Sequence, residues 1–367
     1  MTQVPPSERC SIISAMASEP IAGTASYVRS GYLLIEDAGP WGHAGLTAAG
    51  LGEVAEQIEA RAKDAGVKAM VFRPPTQQRN RSRGASEPAS GRVSPLVASA
   101  PHASTTKESE AHTSTTKSAD SHASTTKESA PAASATATGE PVRGGRRVFA
   151  ARHTGERAMV SFQISDPHEL LDLDFAAYAD DLLAIHPHAV LESEPVMFVC
   201  THAKRDQCCA IEGRPIARDL ADQHPGLVFE CSHLGGHRFA PTAIMLPLGA
   251  VYGRLSLEDA RHAYDLAERA SVLPEALRGL SDLHPAEQAA DARLRTDLQL
   301  ARADEVRAQT ISSDDSGHVV ELRVGQGPAA ARWTADVRTA QSEPRPVSCG
   351  RSPGPTTSHT VTSLLRA

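Results

Sequence analysis

The chain has 367 residues, 40% hydrophobic and only 4% aromatic, a length that predicts two or three domains with a core built on Val, Leu, Ile and Ala. Its net charge of −7 and pI near 6.1 argue against nucleic acid or an anionic membrane as the main partner. The sequence has neither a run of about 18 apolar residues nor a basic-apolar-small leader pattern, so the cytoplasm is the expected location.

In chain order, GYLLIED (31–37) reads as a strand. Residues 47–65 read as a helix with Leu51, Val54, Ala55, Ile58 and Ala62 on one side, and VKAMVFR (67–73) is the next strand. Residues 76–145 are a different material. HASTTKESEA, HTSTTKSADS and HASTTKESAP repeat one decapeptide at 102–111, 112–121 and 122–131. Ser, Thr, Ala, Lys and Glu without large apolar side chains cannot offset chain entropy, so a disordered insertion is expected. One histidine per repeat makes a poor chelate. Beyond the tract, RVFAAR (147–152) and MVSFQI (159–164) predict a hairpin, followed by a helix from 167 to about 183.

The pattern then recurs. Residues 196–199 read as a strand, 210–223 as a helix, 227–230 as a strand, and 243–247 with 250–254 as a hairpin. Ser256 is a capping candidate for a further helix. Both halves run βαβββα, the thioredoxin-like order with a central mixed sheet flanked by helices. The expected fold is therefore α/β with two thioredoxin-like halves: 1–75 with 146–190, interrupted by the insertion, and 191–272. For 273–352 the prediction is a helix over 274–307 and a small hairpin of GHVVELRVG (317–325) and ARWTADVRT (331–339), with Trp333 in its core. The last residues, 353–367, are expected to fray.

The chemistry is concentrated between Cys200 and His237, in CTHAKRDQCC…HPGLVFECSHLGGHRF. Cys200 and Cys209 are separated by eight residues, and His233 and His237 stand four apart around a Gly-Gly pair. Two thiolates and two imidazoles can hold a tetrahedral zinc or a [2Fe–2S] cluster in which two histidines replace two cysteines. Structural zinc sites usually pair ligands about two to four residues apart, twice. A wide first pair followed by a narrow second pair favours the cluster, and vicinal Cys208 and Cys209 leave open which of them serves. Gly235 and Gly236 permit φ > 0 and a close backbone approach. Lys204, Arg205 and Arg238 place positive charge nearby, which would offset an anionic cluster.

The remaining candidates read as support. His202 and His224 are expected at the surface or behind the ligands, and Cys231 is expected not to ligate, pointing away from the His233 loop. Cys349, in PVSCG, reads as a packed or incidental cysteine rather than a redox thiol. The first half offers only Cys10 and His43, which predicts a structural or shielding role for it. Six scattered cysteines suit ligands better than a disulfide framework. The four candidate ligands fall at the carboxyl ends of adjacent parallel strands, where open α/β sheets carry their sites.

The segment from PVMFVC to GRLS (195–256) resembles the sucrase/ferredoxin-like family of thioredoxin-fold ferredoxins, with weaker agreement in SEPIAGTAS, LLIEDAGPWG and RPVSCG. The resemblance implies a [2Fe–2S] cluster held by Cys200, Cys209, His233 and His237, and it selects Cys209 over Cys208. It implies a one-electron carrier more than a stand-alone enzyme, served by a flavin- or NADPH-dependent reductase or a downstream oxidase. Despite the family name, no carboxylate pair suits glycoside hydrolysis. GHAGLTAAG and GRPIARDL lack a nucleotide fingerprint, so no organic cofactor is expected. Two other readings stand beside this one: a structural zinc module that mediates protein contacts, and a thiol–disulfide protein, which a missing C-x-x-C weakens.

Overall fold

The computed structural model describes residues 4–47, 49–75, 145–153, 155–327 and 329–367, so the insertion expected at 76–145 lies outside the described residues apart from Gly145. The first half contributes α1 (Cys10–Met16), β1 (Gly31–Glu36), α2 (Val54–Asp64), β2 (Val67–Arg73), β3 (Arg146–Arg152), β4 (Ala158–Ile164) and β5 (Val190–Leu191). The second contributes β6 (Val196–Cys200), α3 (Gln207–Gln223), β7 (Val228–Cys231), β8 (Ala243–Leu246), β9 (Ala250–Tyr252), α4 (Leu257–Ala267) and β10 (Leu277–Leu280). After these come α5 (Pro285–Leu298), β11 (Val306–Asp314), β12 (Gly317–Val324), β13 (Ala331–Gln341) and β14 (Thr357–Arg366).

Strands β1 to β10 form one ten-stranded sheet in the order β10-β9-β8-β6-β7-β2-β1-β3-β4-β5. In each half the first strand lies parallel to the second and antiparallel to the third: β1 with β2 and β3, β6 with β7 and β8. The halves meet where β2 runs antiparallel to β7, through Phe72↔Cys231 and Arg73↔Glu230. The central strand β6 is buried throughout its length, as an apolar run without alternation requires of a strand covered on both faces. On one face Phe72, Phe149, Phe198 and Phe229 join the halves in a single core, with ring centroids between 4.9 and 5.7 Å apart. On the other face each half keeps its own core, under α2 in the first and under α3 and α4 in the second.

Three expectations need correction. The helix expected over 167–183 is a series of 3-10 turns, Pro167–Asp172, Phe175–Tyr178 and Leu182–Ile185. Asp166, Asp174 and Asp181 each accept a hydrogen bond from the backbone N–H two residues on, restarting the chain before a helix can propagate. The first half thus lacks the final helix of the βαβββα pattern. The helix expected over 274–307 is divided: a 3-10 turn at Pro274–Ala276, then β10, then α5, which starts at Pro285 and is capped after Leu298 by Gln299 with φ 56°.

The third correction concerns the C-terminus, where 353–367 does not fray. Strand β14 pairs with β13 from Gln341↔Thr357 to Trp333↔Arg366, completing a four-stranded antiparallel sheet in place of the expected hairpin. Helix α5 packs on that sheet through Ala286, Ala289, Ala290 and Leu294, with Trp333 at the edge of the same core. Among the described residues, no helix is long and apolar enough to cross a membrane.

Candidate metal centre

Cys200 ends β6 and lies in parallel register with Cys231 at the end of β7. The chain then turns through 201–206 into α3, whose N-cap Asp206 accepts a hydrogen bond from the Cys208 N–H. Gly213 brings α3 onto β6, because a Cβ there would stand 2.5 Å from the Cys200 carbonyl oxygen. This close approach lays Cys209, one helical turn earlier, against Cys200. After β7 the loop passes His233, then Gly235 and Gly236 at φ 98° and 70°, and enters a 3-10 turn at His237.

The four candidate ligands come together there. Cys209 Sγ lies 3.5 Å from His237 Nδ1, the imidazoles of His233 and His237 stack with centroids 4.4 Å apart, and Cys209 and His233 neighbour the Cys200 thiol. Bonding to Cys209, to His233 and to the N–H groups of His202 and Leu234 holds Cys200 well below the usual thiol range despite its burial. The same bond and burial push Cys209 well above that range. Burial, and then His233, lower His237 to about 4, keeping it neutral and able to bind metal. His233 Nδ1 is buried without a hydrogen-bond partner, so a nitrogen able to bind metal is left free. These residues fit a thiolate–imidazole metal group.

Two cations that sequence reasoning missed support the loop. Arg278, fully buried on β10, donates to the Gly235 carbonyl at 2.9 Å, to Thr24 Oγ1 at 3.1 Å and to the Thr24 carbonyl. Gly236 makes room for it, since a Cβ there would meet the guanidinium at 2.4 Å. Lys68, on β2, donates to the Leu234 carbonyl at 3.1 Å, and burial lowers it to about 8. The only local sign of either was a charge within an apolar strand.

Of the cations singled out in the sequence, Lys204 is exposed. Arg205 reaches His43 Nδ1 at 3.4 Å. Arg238 pairs with Glu19 at 2.6 Å and lies over the Phe239 ring.

The neighbouring residues divide by direction. His202 is buried, with Nε2 2.7 Å from the Gly42 carbonyl and its ring edge-on to Trp41 at 6.1 Å, so the 37–42 loop of the first half covers this side of the site. Trp41 in turn lies under the Arg73 guanidinium at 4.4 Å, and Arg73 pairs with buried Glu230 at 2.7 Å. His224, at the C-terminal end of α3, stacks on Tyr264 of α4. Cys208 turns away from Cys209, with its sulfur 3.8 Å from that of Cys10 and 3.3 Å from that of Cys349.

The orientation expected of Cys231 is corrected. Register partners on adjacent strands share a face, and Cys231 packs in the same core as Cys200, Cys209 and Leu234. Burial pushes its thiol well up.

No curated protein and no solved structure matches the chain. A family model does, over residues 21–279, well over half of the sequence and including all four residues of this centre; the chain belongs to the sucrase/ferredoxin-like family.

Proposed function

We propose that the chain is a [2Fe–2S] electron carrier whose cluster is held by Cys200, Cys209, His233 and His237. The observation that carries this reading is the convergence of two thiols, at the end of β6 and in the first turn of α3, with two imidazoles from the loop after β7, and with His233 Nδ1 unpartnered. Such a cluster takes up and releases single electrons. The protein's own groups prepare the site for it. Cys200 lies far down the thiolate scale, His237 stays neutral, and Arg278 and Lys68 set positive charge under the loop where an anionic group would sit. Fixed cations close to a cluster favour its reduced, more negative state.

The spread of the four donors also favours a two-iron group over one zinc ion. Among the described residues, the set whose donor atoms all lie within 4.8 Å of one another is a different one, around Cys208. The matching strand order of the two halves supports a thioredoxin-like reading of each. A flavin- or NADPH-dependent reductase is the partner class that suits a one-electron carrier, and six free cysteines suit the reducing cytoplasm.

Anaerobic purification followed by iron, sulfide and zinc analysis tests the reading. The expected result is a red-brown protein with iron and sulfide in equal amounts, both lost in Cys200→Ser. Colourless protein, or zinc that Cys200→Ser removes, overturns it.

A further inference from the structure

We propose that Cys10, Cys208, Cys349 and Asp206 form a second, separate metal site that holds one zinc ion. Three thiols from distant parts of the chain meet here. The sulfur of Cys10 is 3.8 Å from that of Cys208, Cys208 is 3.3 Å from Cys349, and Cys349 is 3.7 Å from Cys10. Asp206 Oδ2 lies 3.5 Å from the Cys10 sulfur, and all four donor atoms fall within 4.8 Å of one another. A tetrahedral ion with metal–sulfur bonds of about 2.3 Å and a metal–oxygen bond of about 2.0 Å sets its S···S edges near 3.8 Å and its S···O edges near 3.5 Å. The three S···S distances and the Cys10–Asp206 distance lie within about 0.5 Å of those edges.

The donor set selects the metal. Three thiolates exclude hard cations such as magnesium or calcium, and one carboxylate suits zinc better than copper(I). A disulfide can use only two of the three sulfurs and leaves the third unpaired. The surroundings fix the donors independently of any ion. Asp206 Oδ1 accepts from the Cys208 N–H at 2.9 Å, while Oδ2 accepts from the Cys349 N–H at 2.7 Å and the Ser348 hydroxyl at 2.8 Å.

The site has a clear structural consequence. Cys10 opens α1, Cys208 sits in the first turn of α3, and Cys349 lies in the connection between β13 and β14. One ion at this point ties segments near both ends of the described chain to the helix that carries Cys209. Closing such long loops is where a metal clip stabilises most. Cys208 and Cys209 thus serve different sites from one helical turn, and the zinc proposal does not depend on the identity of the group at Cys209.

The test measures both metals in the full-length protein. The expected result is one zinc per chain that Cys10→Ser and Cys349→Ser each reduce at least tenfold while leaving iron and visible colour in place. Cys200→Ser should do the reverse, losing iron and keeping zinc. Cobalt(II) added to the zinc-stripped parent should give an intense thiolate-to-metal absorption band, which decides the matter even if a variant fails to fold. Asp206→Asn keeps a capping side chain on α3 and should weaken cobalt binding by about 10-fold or more. Zinc content unchanged in both Cys10→Ser and Cys349→Ser overturns the proposal. So does a parent protein that binds no cobalt through thiolates, or an anaerobic parent that carries a Cys208–Cys349 disulfide.

Discussion

The two halves of the sheet place different chemistry at the same point of the same topology. Where β6 ends, the second half has Cys200 and a loop that delivers Cys209. Where β1 ends, the first half has Asp37, whose carboxylate accepts from the Gly39 N–H at 2.8 Å, the Gly50 N–H at 2.9 Å and Arg146 at 2.9 Å. One loop is locked by a salt bridge and two amides; the other is left with thiols facing imidazoles. Strand order alone therefore does not make a site. The residues at the carboxyl end of the first strand decide whether that position is locked by hydrogen bonds or left with free thiols.

The largest expected contrast comes from exchanging roles at that position. Cys200→Ser or Cys209→Ser should abolish iron binding, whereas Asp37→Ala should keep the full iron content. Asp37→Ala should instead cost about 1–3 kcal/mol of stability, because it removes the partner of Arg146 and of the Gly39 and Gly50 amides. Iron assays and urea melts on the three proteins check this. Iron lost in Asp37→Ala would mean that the lock and the site are one unit.

Next in size is the packing of α3. Gly213→Ala places a methyl group against the Cys200 carbonyl and should destabilise by about 1–3 kcal/mol, with weakened iron retention. Gly226→Ala, where nothing stands within 4 Å of the added methyl group, should retain iron and suffer only the strain of its φ of 80°. Iron-loss kinetics under a chelator separate the two.

A smaller effect concerns protons in the metal-free protein. His237 titrates at about 4 when folded because burial disfavours its imidazolium, against about 6.5 in an unfolded chain. The unfolded state therefore binds the proton first as pH falls. Stability from this group is complete above about pH 6.5 and lost progressively down to about pH 4. Burial also lowers buried His153 and His202, in the same direction. Urea melts over this range should show the decline, and His237→Asn should flatten part of it.

The smallest expected shift is in the loaded protein. Arg278→Gln should lower the midpoint potential, and the midpoint of the parent should fall with pH by about 59 mV per unit for each proton taken up with the electron. A pH-independent midpoint from about pH 6 to 10 would remove the histidines from the ligand set, and Cys231, which shares the Cys200 face, would be the first replacement.

What the sequence made legible follows from where the information is local. Strands β1, β2 and β6, helix α3 and the β8–β9 hairpin announce themselves through runs of apolar residues or helical spacing, and the Cys200–His237 set lies within one supersecondary unit. The 167–183 segment misled because its apolar residues suit a helix, while the restarts at Asp166, Asp174 and Asp181 show only in hydrogen bonds. Strand β14 was hidden by its polar sequence, TSHTVTSLLR, which pairs because β13 presents a free edge and not because it is itself apolar. Cys10 and Cys349 gave no sign of each other across 339 residues of separation. Arg278 could not be assigned to the site before its strand was known to pass beneath Gly236.

Trp41 gives the molecule an internal gauge. The chain has two tryptophans, and Trp41 sits against His202 beside the candidate ligands while Trp333 belongs to the C-terminal sheet. An iron–sulfur chromophore absorbs where indole emits, so loading should darken Trp41 by energy transfer, and Trp333→Phe would leave its signal alone. Occupancy could then be followed by emission, in real time and at dilutions where colour is too faint to see.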